Sequence, residues 1–174
     1  MPPRGERNGL AAFGRRGSGY PGHVETPRIR DALPSNTEAI EALLALLDHA
    51  PSPERRAQLR ARLEAPADGD VVLVAERDGS IAGFAAATRV HPFEYAKPQL
   101  RVSAIAVASD ARRSGIGAAL ARALEARAEA MGCFRVELTS AHALVGAHAF
   151  WRSVGYRDAG RRFVRALEDE ALTP

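Results

Sequence analysis

Cysteine is nearly missing from this chain, since Cys133 is the only one among 174 residues. A single cysteine cannot form an internal disulfide or a zinc cluster, and it fits a reducing compartment, so we expect a cytoplasmic protein. No apolar run approaches the roughly 18 residues of a membrane span, and the N-terminal segment lacks the apolar core of a secretion signal. Neither a membrane partner nor secretion is therefore expected.

Lysine is equally scarce, because Lys97 is the only one in the sequence. This matters for the segment SDARRSGIGAAL, residues 109–120, which links an apolar strand pattern to an apolar helix pattern. A Walker A loop would need a lysine in this segment, and a dinucleotide fingerprint would need a third glycine where Leu120 stands. The sequence excludes both kinds of phosphate loop here.

What the segment does contain is a pair of arginines followed by Ser-Gly-Ile-Gly. Gly115 and Gly117 allow backbone to come close to a ligand, and the free N–H groups of a helix start favour an anion. Arg112 and Arg113 can add charge-assisted hydrogen bonds. The pattern suits a pyrophosphate, while a capped helix with solvated arginines is the alternative that these residues alone leave open.

Positive charge is concentrated at the N-terminal end. Residues 1–30 carry six arginines and two glutamates, a net of +4, whereas the whole chain is +3 and residues 31–174 therefore sum to −1. Residues 1–23 are rich in Gly, Pro and Arg and are expected to be a disordered tail, followed by one folded domain over 24–174. A solvated tail is favoured over a tail that binds nucleic acid or an acidic partner.

Hydrophobic periodicity predicts an α/β domain with a mixed sheet and about four helices. Ser35 to Glu38 fits a capping box that opens the first helix, and Ser52-Pro53 opens the second. The expected elements are a strand within 23–33, two helices, a hairpin turning at Asp78-Gly79, a strand over 101–109, a long helix ending near Gly132, a strand over 134–140, a short helix over 142–155 and a last strand over 161–167.

The phosphate-loop candidate resembles a known motif. Residues 112–117, RRSGIG, are similar to the acetyl-CoA signature Gln/Arg-x-x-Gly-x-Gly/Ala of the GNAT N-acyltransferases, and AHAFWRSVGY, residues 147–156, is similar to their second motif, Ala-x-x-Phe-Tyr-x-x-x-Gly-Phe/Tyr. The resemblance spans about residues 24–170. It implies a single-domain GNAT-like fold, acetyl-CoA as the cofactor, and transfer of an acetyl group to a primary amine of a small molecule or protein.

The resemblance also implies which residues bind the cofactor. The pyrophosphate of coenzyme A would lie on the loop and helix start, and the pantetheine arm would pair with a strand that splays from its neighbour. The implied set is Ile105, Ala106, Val107, Arg112, Arg113, Ser114, Gly115, Ile116, Gly117, Ala118, Leu144 and Phe150. Many members carry asparagine where Leu144 stands, so one hydrogen bond to the arm is expected to be missing.

Two departures from the family pattern concern catalysis. The usual acid is a tyrosine after the second-motif phenylalanine, but Trp151 stands there and its indole cannot deliver a proton. Tyr156 matches the closing aromatic, which is normally a core residue. Some relatives carry a glutamate early on the strand before the loop, where this chain has Arg101. Candidate bases are Glu94 and His148, with Glu137 and His142 as further candidates.

Two functions therefore stay open: an N-acetyltransferase, or a non-catalytic acyl-CoA-binding or regulatory module that lost the acid. No metal is expected, because His142 and His148 lack the i, i+4 spacing of a helical pair. The acceptor pocket is expected between the first two helices and the loop HPFEYAKPQ, residues 91–99, where Glu94 and its aromatic neighbours would suit a cationic amine such as a polyamine or an aminoglycoside. A homodimer is compatible with this interpretation.

Overall fold

The sheet and helices are those of an α/β domain. The computed structural model describes residues 26–141 and 143–165. Five strands form one sheet in the order β1-β2-β3-β4-β5, antiparallel from β1 to β4 and parallel between β4 and β5. The strands are β1 (Arg28–Asp31), β2 (Asp70–Arg77), β3 (Ser80–Val90), β4 (Gln99–Val107) and β5 (Val136–Leu138). The helices are α1 (Thr37–Leu44), α2 (Pro53–Glu64), α3 (Ile116–Ala130) and α4 (Val145–Ser153). The predicted fold class is confirmed.

The sheet separates two layers of core. On one face, α3 packs against β2, β3 and β4 through residues that include Leu73, Val102 and Leu120. On the other face, α1 packs against the same strands through a smaller set that includes Ile40 and Phe84. The strand residues alternate between the two clusters, as the period of two in a β-strand requires. Burial on both faces explains why β2 and β3 are apolar along most of their length.

Gly83 on β3 sets how closely α3 can approach the sheet. A Cβ atom at this position would lie 2.9 Å from Cγ2 of Ile116 and 3.1 Å from the carbonyl oxygen of Ala106. Side-chain carbon atoms do not approach each other or a carbonyl oxygen at 2.9–3.1 Å, so any larger residue would push the first turn of α3 outwards. The absence of a side chain at Gly83 therefore helps to position the helix start.

The hairpin between β2 and β3 turns where the sequence predicts it. Asp78 and Gly79 have φ values of 52° and 74°, and they are the only two residues between Arg77 and Ser80. Positive φ at both central residues defines a two-residue turn whose twist matches the flanking strands. The turn at Asp78-Gly79 is confirmed.

The two N-terminal helices begin differently from each other. At α2, the Ser52 hydroxyl accepts from the backbone N–H of Arg55 at 3.1 Å, as predicted. The capping box predicted at Ser35 is wrong, because Pro34 starts a short 3₁₀ turn over Pro34–Asn36 and α1 begins only at Thr37. Proline fixes a helical φ, so the chain enters a helical turn before the expected cap. Asn36 instead uses its side chain to accept from the Leu33 N–H at 2.9 Å.

A buried carboxylate joins α1 to α2. The side chain of Glu41 is 2% exposed, and its Oε2 lies 2.7 Å from the guanidinium of Arg56, which is half exposed. Its other oxygen accepts from the backbone N–H of Ser52 at 3.1 Å. Both carboxylate oxygens are thus hydrogen-bonded, as a buried charge requires. The Glu41 carboxylate also raises the pKa of Arg56.

The ends of the chain differ most from the predicted elements. The last strand, predicted over 161–167, is absent from residues 161–165, and residues 166 and 167 lie outside the described part. The predicted tail and His142 also lie outside the described residues. The first strand spans four residues, with Pro27 just before it at the sheet edge. β5 is only three residues long, so it offers few backbone groups to a further strand. None of the described helices is long and apolar enough to cross a bilayer.

Candidate active site

The candidate site begins where β4 and β5 diverge. β4 pairs with β3 from Gln99 to Val107, but it pairs with β5 only over Leu100, Arg101 and Val102. The edge of β4 from Ser103 to Val107 that faces away from β3 pairs with no described strand, and it extends over about 13 Å. We call this free edge the β4–β5 slot. It includes residues 105–107, for which the resemblance implied a splayed strand.

A β-bulge marks the closed end of the slot. Ala86 stands opposite Ala104 and Ala87 stands opposite Val102, so Ser103 is the extra residue on β4. Its hydroxyl donates to the carbonyl of Ala86 at 3.2 Å. The bulge shifts by one residue the alternation of β4 side chains between the two faces of the sheet, so that Val102 and Ile105 pack on the same face. The bulge falls directly after the last β4–β5 pair, and nothing in the sequence predicted it.

The open end of the slot leads into the arginine-glycine loop. After β4, a short 3₁₀ turn over Ser109–Ala111 is followed by Arg113 at φ 61° and Gly115 at φ 85°, and α3 begins at Ile116. The hydroxyl of Ser114 donates back to the Ala111 carbonyl at 2.6 Å and holds the loop in this shape. No side chain in residues 26–141 and 143–165 caps the start of α3. The first backbone N–H groups of the helix are therefore free to bind an anion.

Two arginine side chains beside this helix start have no partners among the described residues. Arg112 and Arg113 are exposed, and neither forms a side-chain hydrogen bond or salt bridge with any described residue. Each guanidinium carries five N–H donors, so the pair offers strong binding capacity for a phosphate group. The left-handed backbone of Arg113 is uncommon for a residue with a side chain.

The two glycines of the loop have different structural roles. At Gly115 the backbone is left-handed, and a Cβ would meet nothing within 4 Å. At Gly117 a Cβ would lie 3.2 Å from two ring carbons of Phe150 and 3.9 Å from Val107. Gly117 thus allows the Phe150 ring of α4 to lie against the first turn of α3. Sequence reasoning assigned both glycines to ligand approach and missed this contact.

The aromatic residues of α4 and its C-terminal end form a packed cluster. Trp151 is 7% exposed, with its ring centroid 5.0 Å from that of Phe150 and 4.8 Å from that of Tyr156. The hydroxyl oxygen of Tyr156 is buried and has no hydrogen-bond partner among the described residues. Burial, and then the negative charge of Glu125 on α3, raise the pKa of Tyr156 well above its ordinary value. Tyr156 therefore keeps its proton at any working pH, and its hydroxyl is shielded from solvent although the residue is only partly buried.

Leu144 has a different environment from this cluster. It precedes α4 and is 51% exposed, and none of the described side chains caps the helix there. Its carbonyl accepts from the backbone N–H of His148 at 3.0 Å. An exposed apolar side chain at a helix start can contact a ligand but cannot hydrogen-bond to it.

The candidate bases are not gathered at one place. Glu94 is exposed in the loop between β3 and β4, beyond the paired end of β4. His148 is half-buried on α4, two residues before Phe150, and so projects from the opposite side of that helix. Glu137 on β5 is bonded to Arg101 at 3.5 Å and to Arg135 at 3.3 Å. These residues stay predictions, and no cluster of three metal-ligating side chains occurs in the described ranges.

The β4–β5 slot leads to an uncapped helix start that contains glycine, an arrangement suited to an extended ligand with a phosphate end. Residues 37–156 match the model of the acetyltransferase (GNAT) family, and the chain belongs to that family, whose members use acetyl-CoA. No significant match was found among curated protein sequences.

Solved structures share the fold. A transcriptional regulator from Bacillus halodurans C-125 superposes with a TM-score of 0.75 at 19% identity, over 82% of this chain and 100% of the other. The aminoglycoside acetyltransferase HMB0005 from an uncultured soil metagenomic sample has a TM-score of 0.68 at 25% identity, over 83% and 100%. AAC(6')-Iy, in complex with the bisubstrate analogue CoA-S-monomethyl-acetylneamine, has a TM-score of 0.72 at 20% identity, over 83% and 99%.

Proposed function

We propose that this chain is an acetyl-CoA-dependent N-acetyltransferase that acts on a primary amine of a small molecule or protein. The observation that carries the proposal is the continuity of three features: the β4–β5 slot, the uncapped start of α3, and the unpartnered Arg112 and Arg113. Each feature occurs alone in many proteins, but together they form one path for a ligand with a peptide-like arm and a phosphate end.

The residues present fit coenzyme A. The N–H groups of Ile116, Gly117 and Ala118 at the helix start, with the two arginines, would bind the pyrophosphate. The backbone of residues 105–107 would hydrogen-bond to the amides of the pantetheine arm, as an added strand would. Leu144 and Phe150 would cover the arm from the α4 side. The thioester end would then lie near Ser103, at the closed end of the slot.

The bound cofactor supplies an acetyl group activated as a thioester. The chain's own contribution is to hold that group beside the acceptor amine and to exclude water from one side. Such positioning alone can account for about 7–11 kcal/mol of a reaction barrier. The amine must lose a proton before it attacks, and Glu94 and His148 are the proposed bases. Since Glu94 lies in the loop beyond the paired end of β4 and His148 lies on the opposite side of α4 from Phe150, we propose that the proton leaves through water.

Trp151 limits how the leaving thiolate obtains a proton. Its indole is packed between Phe150 and Tyr156 and cannot act as an acid. Loss of a general acid typically lowers the rate by about 100- to 10,000-fold, which is less than the total advantage of an enzyme. We therefore propose a slow transferase whose thiolate is protonated by solvent.

The second candidate is a non-catalytic module that binds acyl-CoA. Trp151 at the acid position favours it, because the slot and loop would bind the cofactor equally well without that acid. The two functions differ in turnover and agree on cofactor binding, so a binding measurement and a thiol-release assay on the same preparation separate them.

The test uses the full chain. Titration calorimetry with acetyl-CoA is expected to give a single binding event, and a thiol-release assay with a panel of amines is expected to show turnover. Arg112→Ala/Arg113→Ala should weaken acetyl-CoA binding by about 10- to 100-fold through the loss of charge-assisted hydrogen bonds. Arg122→Ala is the matched control, because Arg122 is exposed on α3 without a side-chain partner in the described ranges.

Three outcomes are decisive. Binding with turnover supports the transferase. Tight binding without turnover of any amine supports the module. Absence of binding, or equal affinity in the double variant and in Arg122→Ala, contradicts both.

A further inference from the structure

A row of polar side chains crosses four strands just before the β4–β5 slot opens. Asp70, Thr88, Arg101 and Glu137 are successive partners in the register of β2, β3, β4 and β5. Residues directly opposite each other in a sheet project from the same face, so the four side chains form one line. The row lies on the face opposite to α3, since Val102 and Leu138, their neighbours, pack towards α3.

The charges of this row are balanced at one end only. At the β2 end, Asp70 accepts from Thr88 at 2.6 Å and from Arg62 of α2 at 3.1 Å. At the β5 end, Arg101 and Arg135 share the single carboxylate of Glu137. Near the same end, Arg162 donates to the hydroxyl of Thr139 at 3.3 Å, two residues after Glu137. Among the described residues, two guanidiniums thus share the Glu137 carboxylate and a third lies near this end of the row, so positive charge is in excess there.

Arg101 and Arg135 differ in how fully the protein engages them. Arg135 donates to Gln99 at 2.8 Å and lies 4.9 Å from the ring centroids of Tyr95 and Phe134, so the surrounding loop fixes it. Arg101 has one described contact, at 3.5 Å to Glu137, and its side chain is 49% exposed. A guanidinium carries five donors, so most of those on Arg101 are available to a ligand.

Arg101 is also close to where the reaction would occur. It stands two residues before Ser103, about 7 Å along β4, at the end of the slot that holds the thioester under the proposed function. A long arginine side chain spans a comparable distance. An acceptor placed for attack at Ser103 therefore lies within reach of the free guanidinium.

We propose that Arg101 binds an anionic group of the amine acceptor, a carboxylate or a phosphate, and makes the chain selective for amines that carry one. This inference rests on the proposed function, and it names the acceptor class for the same site. The planar fork of a guanidinium matches both anions, since each presents two oxygens to parallel N–H groups. It is an alternative to the cationic acceptor predicted from Glu94, which is exposed in the loop beyond the paired end of β4.

The experiment compares matched amines. Glycine is paired with glycinamide, and phosphoethanolamine with ethanolamine, while spermidine represents a cationic acceptor. The thiol-release assay gives kcat and KM for wild type, Arg101→Gln and Arg101→Lys. Arg77→Gln is the control, because Arg77 is also a strand arginine with one weak ion pair, 3.6 Å to Asp78, at the distant hairpin. The shift in Tm that each anionic amine causes in the CoA-loaded protein reports binding without turnover.

Wild type is expected to prefer one or both anionic amines by about 10-fold in kcat/KM, since hydrogen bonds to charged groups contribute at that level. Arg101→Gln should raise KM for the anionic amine about 10-fold with little change in kcat, and Arg101→Lys should recover part of the loss. Phosphoethanolamine and glycine distinguish phosphate from carboxylate. A preference for neutral or cationic amines, or an anionic preference unchanged in Arg101→Gln, overturns the proposal. If no amine turns over, the proposed function fails. The anion site is overturned separately if the Tm shifts caused by the anionic amines are the same in wild type and in Arg101→Gln.

Discussion

Gly115→Ala changes one backbone position at the start of α3, and Gly79→Ala provides its matched control. Gly115 has φ 85° and Gly79 has φ 74°, and a Cβ at either position would meet no atom within 4 Å. The two substitutions therefore introduce the same kind of strain and no steric clash. They differ only in place, because Gly79 lies in the β2–β3 turn, away from the slot.

The magnitude of the strain follows from the backbone conformation. A left-handed residue with a side chain costs about 1–2 kcal/mol relative to glycine, so both variants should lose that much unfolding free energy. For a chain of this size the loss corresponds to about 2–8 °C in Tm. Only Gly115→Ala should also weaken acetyl-CoA binding, by about 10-fold, because relaxing the strain turns the free N–H groups of the helix start away from the phosphate.

Urea denaturation measures the stability of both variants, and calorimetry with acetyl-CoA measures binding on the same samples. Equal losses of stability with a loss of affinity confined to Gly115→Ala are the expected pattern. If Gly115→Ala binds acetyl-CoA as tightly as Gly79→Ala, the helix start does not hold the phosphate and the reasoning about the loop is wrong.

Three further predictions concern the scaffold. Gly83→Ala should destabilise the fold by about 1–3 kcal/mol in urea denaturation, since its Cβ would lie 2.9 Å from Ile116, whereas no loss would show that α3 can move freely. Glu41→Ala should cost about 1–3 kcal/mol, because it leaves the Ser52 N–H unpaired while the half-exposed Arg56 can be solvated, and Glu41→Gln should cost less, because the amide can still accept from Ser52. Equal losses would contradict a role for that hydrogen bond. Tyr156→Phe should leave stability at pH 7 unchanged or raise it by about 1 kcal/mol, since it removes a buried hydroxyl that has no partner in the part of the chain that the structure describes. The raised pKa of Tyr156 means that the unfolded chain ionises first, so wild type should lose at most about 1.4 kcal/mol per pH unit as the pH rises above about 10, and a Tyr156→Phe profile with the same slope would refute this.

The elements that the sequence predicted well are those with strong local requirements. The turn at Asp78-Gly79 needs positive φ twice, and Ser52-Pro53 combines a cap with a fixed φ, so short-range chemistry determines both. The predicted cap at Ser35 was wrong because the neighbouring Pro34 imposed its own turn. The last strand was predicted from apolar composition, but strand propensity has effect only where a partner strand pairs with it.

The candidate active site, like the fold, could be predicted only in part from the sequence. The loop from Arg112 to Gly117 has a spacing that could be recognised, and the structure places it at the start of α3 as expected. The bulge at Ser103 could not be predicted, since it is a mismatch of register with β3 and leaves the composition of β4 unchanged. The contact between Gly117 and Phe150 joins residues 33 positions apart, and the pair of Arg101 with Glu137 depends on the parallel register of β5.

The walls of the β4–β5 slot are anchored very unequally. Eight residue pairs hold β4 to β3, but only three hold β5 to β4. Amide hydrogen exchange should therefore detect transient opening of β5 and α4 at a lower free energy than global unfolding. A ligand that contacts both β4 and β5 would stabilise the closed arrangement of the two strands. Its dissociation rate should therefore follow the rate at which β5 opens rather than the strength of any single contact.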